Sequence, residues 1–300
     1  MVEAVGLDLV NLLLVLSLAW IFGALAEHIG YPAMMGEILA GIVFGPAILG
    51  ILQSTEVLEI FAELGVFLLM IYVGMEIDLH QLFELGPQSL MVALGGFLLP
   101  FGLGYLLGDL LGFTIEQALF IGIALAATSL ATKSRILVDL DILDTRIAGV
   151  LLGGALLSDV AILIVFAGVT GFIESGEVTF FGLGIVMLRA FAFFVAALVF
   201  GDRLLPYIWG WLEGLMRRYG FIDKTSAFTI ALIVALVFAL LATLADLHMI
   251  IGGFVAGMFL RQAQLDEEIY DHMHTVMYDL AMGFFAPIFF ITVASCPLDR

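Results

Sequence analysis

Leu151-Leu-Gly-Gly-Ala-Leu-Leu-Ser-Asp-Val-Ala-Ile-Leu-Ile-Val-Phe-Ala-Gly168 is an apolar run interrupted by one charge, Asp159. Its length falls within the roughly 17–25 residues that an α-helix needs to cross a bilayer. An ionisable group at mid-membrane depth costs about 2.5–3.5 kcal/mol on insertion scales, so it persists where it faces a water-filled cavity, a partner or a bound ion. The run therefore identifies a membrane helix and marks Asp159 as the residue with a task.

The rest of the chain has the same character. Its 300 residues are 63% hydrophobic with a mean hydropathy of +1.19, well above the roughly 45–50% apolar share of a soluble domain. Apolar runs near 9–26, 33–51, 59–77, 88–110, 115–132, 147–172, 183–203, 226–244, 247–261 and 279–296 predict ten helices. Lipid offers no partner to unpaired backbone groups, and these runs are too long and too uniformly apolar for barrel strands. The fold class is an all-α polytopic membrane protein. No basic residue precedes the first run and no small-residue cleavage site follows at a suitable distance, so it reads as a retained helix. Cys296 is the sole cysteine, which excludes a disulfide framework and a cysteine metal cluster.

Retained Lys and Arg accumulate in cytoplasmic loops, and eight of the ten fall on one side of the predicted spans. Lys133, Arg135 and Arg146 flank the loop after the fifth run, Arg203, Arg217, Arg218 and Lys224 occupy the one after the seventh, and Arg261 ends the ninth. Only Arg189 and Arg300 lie towards the other face. A multi-pass protein of the cell membrane with its N-terminus outside is expected. The formal charge of −18 comes from loop acids, with Glu3, Asp8, Glu56, Asp109, Glu116, Glu174 and Glu177 on the expected outer face. Solubilising acids are the simpler reading; the same surface also raises the local cation concentration.

An internal repeat organises the helices. Gly36-Glu-Ile-Leu-Ala-Gly41 returns as Gly252-Gly-Phe-Val-Ala-Gly257, and at that offset of 216 residues 11–41 lie over 227–257 without a gap. Phe67-Leu-Leu-Met-Ile-Tyr-Val-Gly74 then overlies Pro287-Ile-Phe-Phe-Ile-Thr-Val-Ala294 with a slip of four. The first run corresponds to the eighth, an odd shift that turns the second copy upside down in the membrane, and inverted repeats of this kind are a transporter signature. With six helices in the first copy and a seventh as connector, a full second copy needs helices eight to thirteen; the chain supplies ten.

Two polar sets stand inside the spans. The fifth run holds Ala126-Ala-Thr-Ser-Leu-Ala-Thr132. Its hydroxyls suit either a broken helix whose carbonyls and side chains bind an ion at mid-membrane depth, or a regular helix in which they back-bond to carbonyls; both readings are open at this point. In the sixth run Gly153 and Gly154 admit another backbone, and Ser158 sets a hydroxyl beside Asp159. Apolar surroundings penalise a bare carboxylate, so Asp159 is suited to hold a proton or a monovalent cation in turn. The competing reading, a structural ion pair, finds no basic residue at matching depth in the ten runs.

Other features carry less. Glu37, in the first turn of the second run, reads as a dipole cap. Glu63, Glu76 and Asp78 lie towards the ends of the third and are expected in interfacial water. Gly104, Gly108 and Gly112, continuing Gly95, Gly96 and Gly102, read as a face for close helix packing. Trp209 and Trp211 beside Arg217 and Arg218 read as an interfacial anchor. His272-Met-His274 lacks the spacing of a strong metal motif. Tyr278-Asp279 matches half of an intramembrane aspartyl protease signature, but Gly-x-Gly-Asp is absent, as are Gly-x-Ser-x-Gly, a Walker loop and His-Glu-x-x-His. The chain is not expected to be an enzyme.

Gly36-Glu-Ile-Leu-Ala-Gly-Ile-Val-Phe-Gly-Pro46, Leu64-Gly-Val-Phe-Leu-Leu, Val73-Gly-Met-Glu, Ile142-Leu-Asp-Thr-Arg, Leu157-Ser-Asp-Val and Pro287-Ile-Phe-Phe together resemble the sodium/proton exchanger domain. Within it they are most similar to the second monovalent cation:proton antiporter family, with its Kef- and NapA-type members. The resemblance covers nearly the whole chain. It implies a thirteen-helix inverted-repeat fold that forms a homodimer in the lipid bilayer, with no nucleic-acid partner and no cofactor. Residues 1–80 and 206–300 would be scaffold, 183–205 a linker helix, and 88–172 half of a moving core. Helices eleven to thirteen, including the crossing partner of the fifth, are expected beyond residue 300, so the chain reads as truncated at its C-terminus. The family commonly carries a pair of polar residues, often two acids, where this chain has Ser158-Asp159.

The expectation is exchange of Na+, or alternatively K+, for protons by alternating access. Asp159 would be the shared ion and proton site, with Thr128, Ser129 and Ser158 supplying further oxygens. The resemblance links paired acids to electrogenic exchange, so a single acid points to one-for-one exchange. The alternatives are a ligand-gated potassium efflux channel-like protein, with Asp159 as a selectivity or gating group, and a truncated, transport-inactive scaffold.

Overall fold

The computed structural model describes residues 2–53, 55–77, 84–175, 180–204, 207, 224–262 and 267–295, and all regular structure among them is helical. The helices are α1 (Val2–His28), α2 (Ala33–Phe44), α3 (Glu56–Glu76), α4 (Gly86–Leu110), α5 (Ile115–Ala126), α6 (Leu130–Asp139), α7 (Arg146–Ser175), α8 (Phe180–Val199), α9 (Lys224–Leu244), α10 (Met249–Gln262), α11 (Glu267–Leu280) and α12 (Ala286–Ala294). Single π-helical stretches follow α8 at Phe200–Leu204 and join α11 to α12 at Ala281–Phe285. Trp209, Trp211, Arg217, Arg218, Asp78, Glu177, Cys296 and Arg300 lie outside the described residues.

Most of each predicted apolar run is helical, but the second stops at Phe44 instead of 51 and the runs are not ten equal spans. Among the described residues seven helical spans, two of them composed of α5–α6 and α11–α12, are long and apolar enough to cross a membrane, and Ala33–Phe44, Gly184–Val199 and Met249–Arg261 are shorter apolar helices. Two boundaries move. The fifth run continues through α6 to Asp139, which places Lys133 and Arg135 inside a helix and not in the loop where the charge count put them. The tenth begins earlier, with the polar α11, whose His274 Nε2 lies 2.5 Å from Glu76 Oε1 and whose Tyr270 hydroxyl donates to the Met75 carbonyl at 2.9 Å. Glu76 is thus half-buried in a network and does not simply reach interfacial water.

Helix α3 is the hub, buried from Val66 to Met75. Its Gly74 lies against α10 so closely that an added Cβ would stand 2.1 Å from the Phe254 carbonyl, and one on Gly257 of α10 would stand 2.2 Å from the Ile71 carbonyl. Backbones that near each other maximise van der Waals contact where lipid removes any hydrophobic drive between helices. The same contacts recur at the sequence offset of 216. Gly36 sits on the Phe22 carbonyl and Gly252 on the Phe238 carbonyl, both members shifted by 216 residues. Gly41 sits on Ile291 and Ala294, as Gly257 sits on Ile71 and Gly74, these partners being related by the offset with the slip of four.

The glycine series of α4 divides. Gly104 and Gly108 do seat α5, where an added Cβ would lie 2.9 Å from Gly122 Cα and 2.8 Å from Ala118 Cα. A Cβ added at Gly95, Gly96 or Gly102 would meet none of the described residues within 4 Å, and Gly112 is a helix terminator at φ 80°. The expected continuous packing face is therefore two residues long.

Candidate cation site

The fifth run settles its own ambiguity. Helix α5 stops at Ala126, Ala127 to Ser129 are not helical, and α6 begins at Leu130. Ala127 at ψ 117° and Ser129 at ψ 119° are extended, so the chain crosses the gap without a turn. Ser129 starts the second half as its N-cap, its Oγ accepting the Thr132 N–H at 3.1 Å. Elsewhere hydroxyls do back-bond within regular helices, as Ser134 does to the Leu130 carbonyl at 2.9 Å; Ser129 instead serves the break.

A break of this kind concentrates charge. The last carbonyls of α5 and the first N–H groups of α6 lack intrahelical partners and bring a negative and a positive helix end to one point. Asp159, partly buried on α7, faces it across a cavity of about 470 Å³ lined by Ala127, Thr128, Ser129, Ile162, His248 and Phe289, among others. Carboxylate, hydroxyls and unwound backbone are the donor set that discontinuous helices use for alkali cations.

Three of the four predicted site residues meet here: Asp159, Thr128 and Ser129. Ser158 does not. Its hydroxyl is buried and donates to the Gly154 carbonyl at 2.9 Å, and Gly154 faces Ser89 and Val92 of α4. Successive helical residues point about 100° apart, so Ser158 packs the helix while Asp159 addresses the cavity.

Two residues of this region were not foreseen. Lys133 Nζ donates to Thr128 Oγ1 at 3.0 Å and acts electrostatically on Asp159. The expectation that no basic residue shares the depth of Asp159 is thereby overturned. The cause is the helix break: it carries the span past the predicted end at 132 and lets Lys133 fold back by its flexible stem. Capping serine followed by lysine one turn later was the available signal. His248 reaches the cavity from the short connection before α10, and nothing in its spacing announced it.

Glu37 is also corrected. It is buried and paired with Arg135 of α6, while the N-terminus of α2 is served by Asp139, whose Oδ2 accepts the Met34 N–H at 3.2 Å. His274 of the His-Met-His sequence bonds Glu76, and no group of three or more His, Cys, Asp or Glu fit for a metal occurs among the described residues.

A family model described as sodium/hydrogen exchanger, transmembrane, matches residues 13–296. The Na(+)/H(+)-K(+) antiporter GerN of Bacillus cereus is 33% identical over 90% of this chain and 67% of its own length. The probable Na(+)/H(+) antiporter GerT of the same organism is 32% identical over 95% and 72%, and a Na(+)/H(+) antiporter of Enterococcus hirae 27% over 96% and 73%.

Proposed function

The chain belongs to the sodium/hydrogen exchanger family, and on that premise we propose that it exchanges a monovalent cation, Na+ before K+, for protons by alternating access. The observation that carries the reading is the partly buried Asp159 set across one cavity from the broken helix α5–α6. A cation and a proton compete there for one carboxylate, so each must leave before the other is carried. Thr128, Ser129 and the carbonyls of the break complete the cation's shell, and Lys133 holds Thr128 until the cation arrives.

The wider assignment follows the same line. The matched glycine contacts of α2 and α10 support an inverted repeat, with α1–α3 and α9–α12 as scaffold, α4–α7 as half of a moving core and α8 as linker. A homodimer and an outer N-terminus belong to the reading. In that orientation His248 and Ile162 lie on the outer side of Asp159, and the Glu37–Arg135–Asp139 group lies towards the inner side.

Reconstitution tests it. In proteoliposomes carrying an imposed Na+ or K+ gradient, the wild type is expected to move protons against it, and Asp159→Asn to abolish the response. Cation flux without proton movement would replace exchange with a channel, and equal activity in the variant would remove Asp159 from the site.

A further inference from the structure

A second set of charges is buried away from the Asp159 cavity, and its sum does not balance. Arg135 Nη2 lies 3.2 Å from Glu37 Oε1 and its Nε 2.9 Å from Asp139 Oδ1, with side-chain exposures of 5%, 4% and 7% respectively. Asp139 Oδ2 is occupied by the Met34 N–H, and Arg135 Nη1 donates to Met282 Sδ at 3.3 Å. Glu37 Oε2 is buried with no hydrogen-bond partner. The charged groups that act on Glu37 are Arg135 and Asp139 from α6 and Glu27 from α1; Met282, Gly283 and Pro287 on the remaining side are uncharged. Two buried carboxylates thus share one guanidinium, and the exposed Glu27 adds a like charge near Glu37. A buried charge without compensation costs several kcal/mol, and an acceptor buried without a donor adds to it.

A proton can reach this group. A cavity of about 220 Å³ runs beside Glu37 between α1, α2 and the Ala281–Phe285 stretch, lined by Trp20, Gly23, Glu27 and Met282. Oε2 itself has almost no accessible surface, which leaves room for a proton and not for a hydrated ion.

We propose that Glu37 holds a second small positive ligand, a proton, on the carboxylate oxygen turned away from Arg135. The ligand brings the Glu37–Arg135–Asp139 group to neutrality and completes the bonding of Oε2. It ties α2 to the second half of the broken helix at a place separate from Asp159.

The test does not depend on transport, so its failure is distinct from failure of the exchange reading. Infrared difference spectra of the purified protein in nanodiscs are recorded in the Asp159→Asn background. One arm is a step from about pH 8 to about pH 6, above the range of exposed carboxylates; the other replaces choline by Na+ or K+. A carboxyl band in the proton arm is the expected result, and a carboxylate shift in the alkali arm without that band overturns it. The band is expected to be lost on adding Glu37→Gln, and also on adding Asp139→Asn, which removes the excess charge and carries the test alone if Glu37→Gln does not fold. Spectra identical in parent and variants in every arm overturn the proposal.

Discussion

Asp159 was legible from one fact, a carboxylate in an apolar run, because lipid makes that placement costly whatever surrounds it. Its companions were legible only in part. Thr128 and Ser129 stood out as hydroxyls in a span, yet helix and break were equally consistent with them until the extended residues Ala127 and Ser129 appeared. Ser158 drew attention by adjacency in sequence, which on a helix is adjacency on the wrong face. Lys133 was assigned to a loop by its charge, and its role depends on a side chain reaching back five residues to Thr128. That contact yields a prediction. A hydrogen bond from a charged donor is worth about 1.5–3 kcal/mol, and the incoming cation must displace it from Thr128. Lys133→Met is therefore expected to lower the half-saturating cation concentration about tenfold, taking 1.4 kcal/mol per decade. The concentration dependence of exchange in proteoliposomes reads this directly, and an unchanged or raised value would show that Lys133 supports the cation rather than competing with it.

Helices were the most readable elements, since most of each apolar run is helical, and their junctions the least. The π stretch at Ala281–Phe285 and the three-residue gap in α5–α6 interrupt runs whose hydropathy is continuous, so periodicity had nothing to report. Glycine positions were visible as residues but not as contacts. The short match between Gly36–Gly41 and Gly252–Gly257 coincided with real close approaches, whereas most of the longer series on α4 did not. The distinction is measurable. Gly36→Ala and Gly257→Ala would drive a Cβ to 2.0 and 2.2 Å from the carbonyls of Phe22 and Ile71, and overpacking against backbone costs about 1–3 kcal/mol. Both are expected to lower the melting temperature in detergent. Gly95→Ala meets open space and gains helix propensity of about 0.8–1.0 kcal/mol, so its melting temperature should hold or rise. A destabilising Gly95→Ala together with neutral Gly36→Ala would mean that α4, not α2, carries the tight interface.

Across the molecule charges group by expected depth, although two of those that set the expected orientation lie inside a helix and not in a loop. Glu27, Glu37, Arg135 and Asp139 come together on the expected inner side, as do Glu76, Arg261 and His274. Arg189 pairs with Asp246 on the other side. This arrangement bears on the energetics of the whole cycle. Asp159 is the one acid among the described residues that line the cavity, and Lys133, bonded to Thr128 of the same lining, is taken as protonated in both crossings. If a proton and a cation each neutralise Asp159 in turn, the moving unit has the same charge in both crossings, and membrane potential does no net work on the exchange. One uncompensated charge per cycle would couple to about 2.3 kcal/mol for each 100 mV, or roughly a fiftyfold change in the gradient sustained. The measurement is the Na+ gradient that a fixed pH gradient maintains at equilibrium, with the potential clamped first at zero and then at about 100 mV by a K+ gradient and an ionophore. No shift is expected; a shift near fiftyfold would require a second titrating group in the transport step, and Glu37 would be the first residue to substitute.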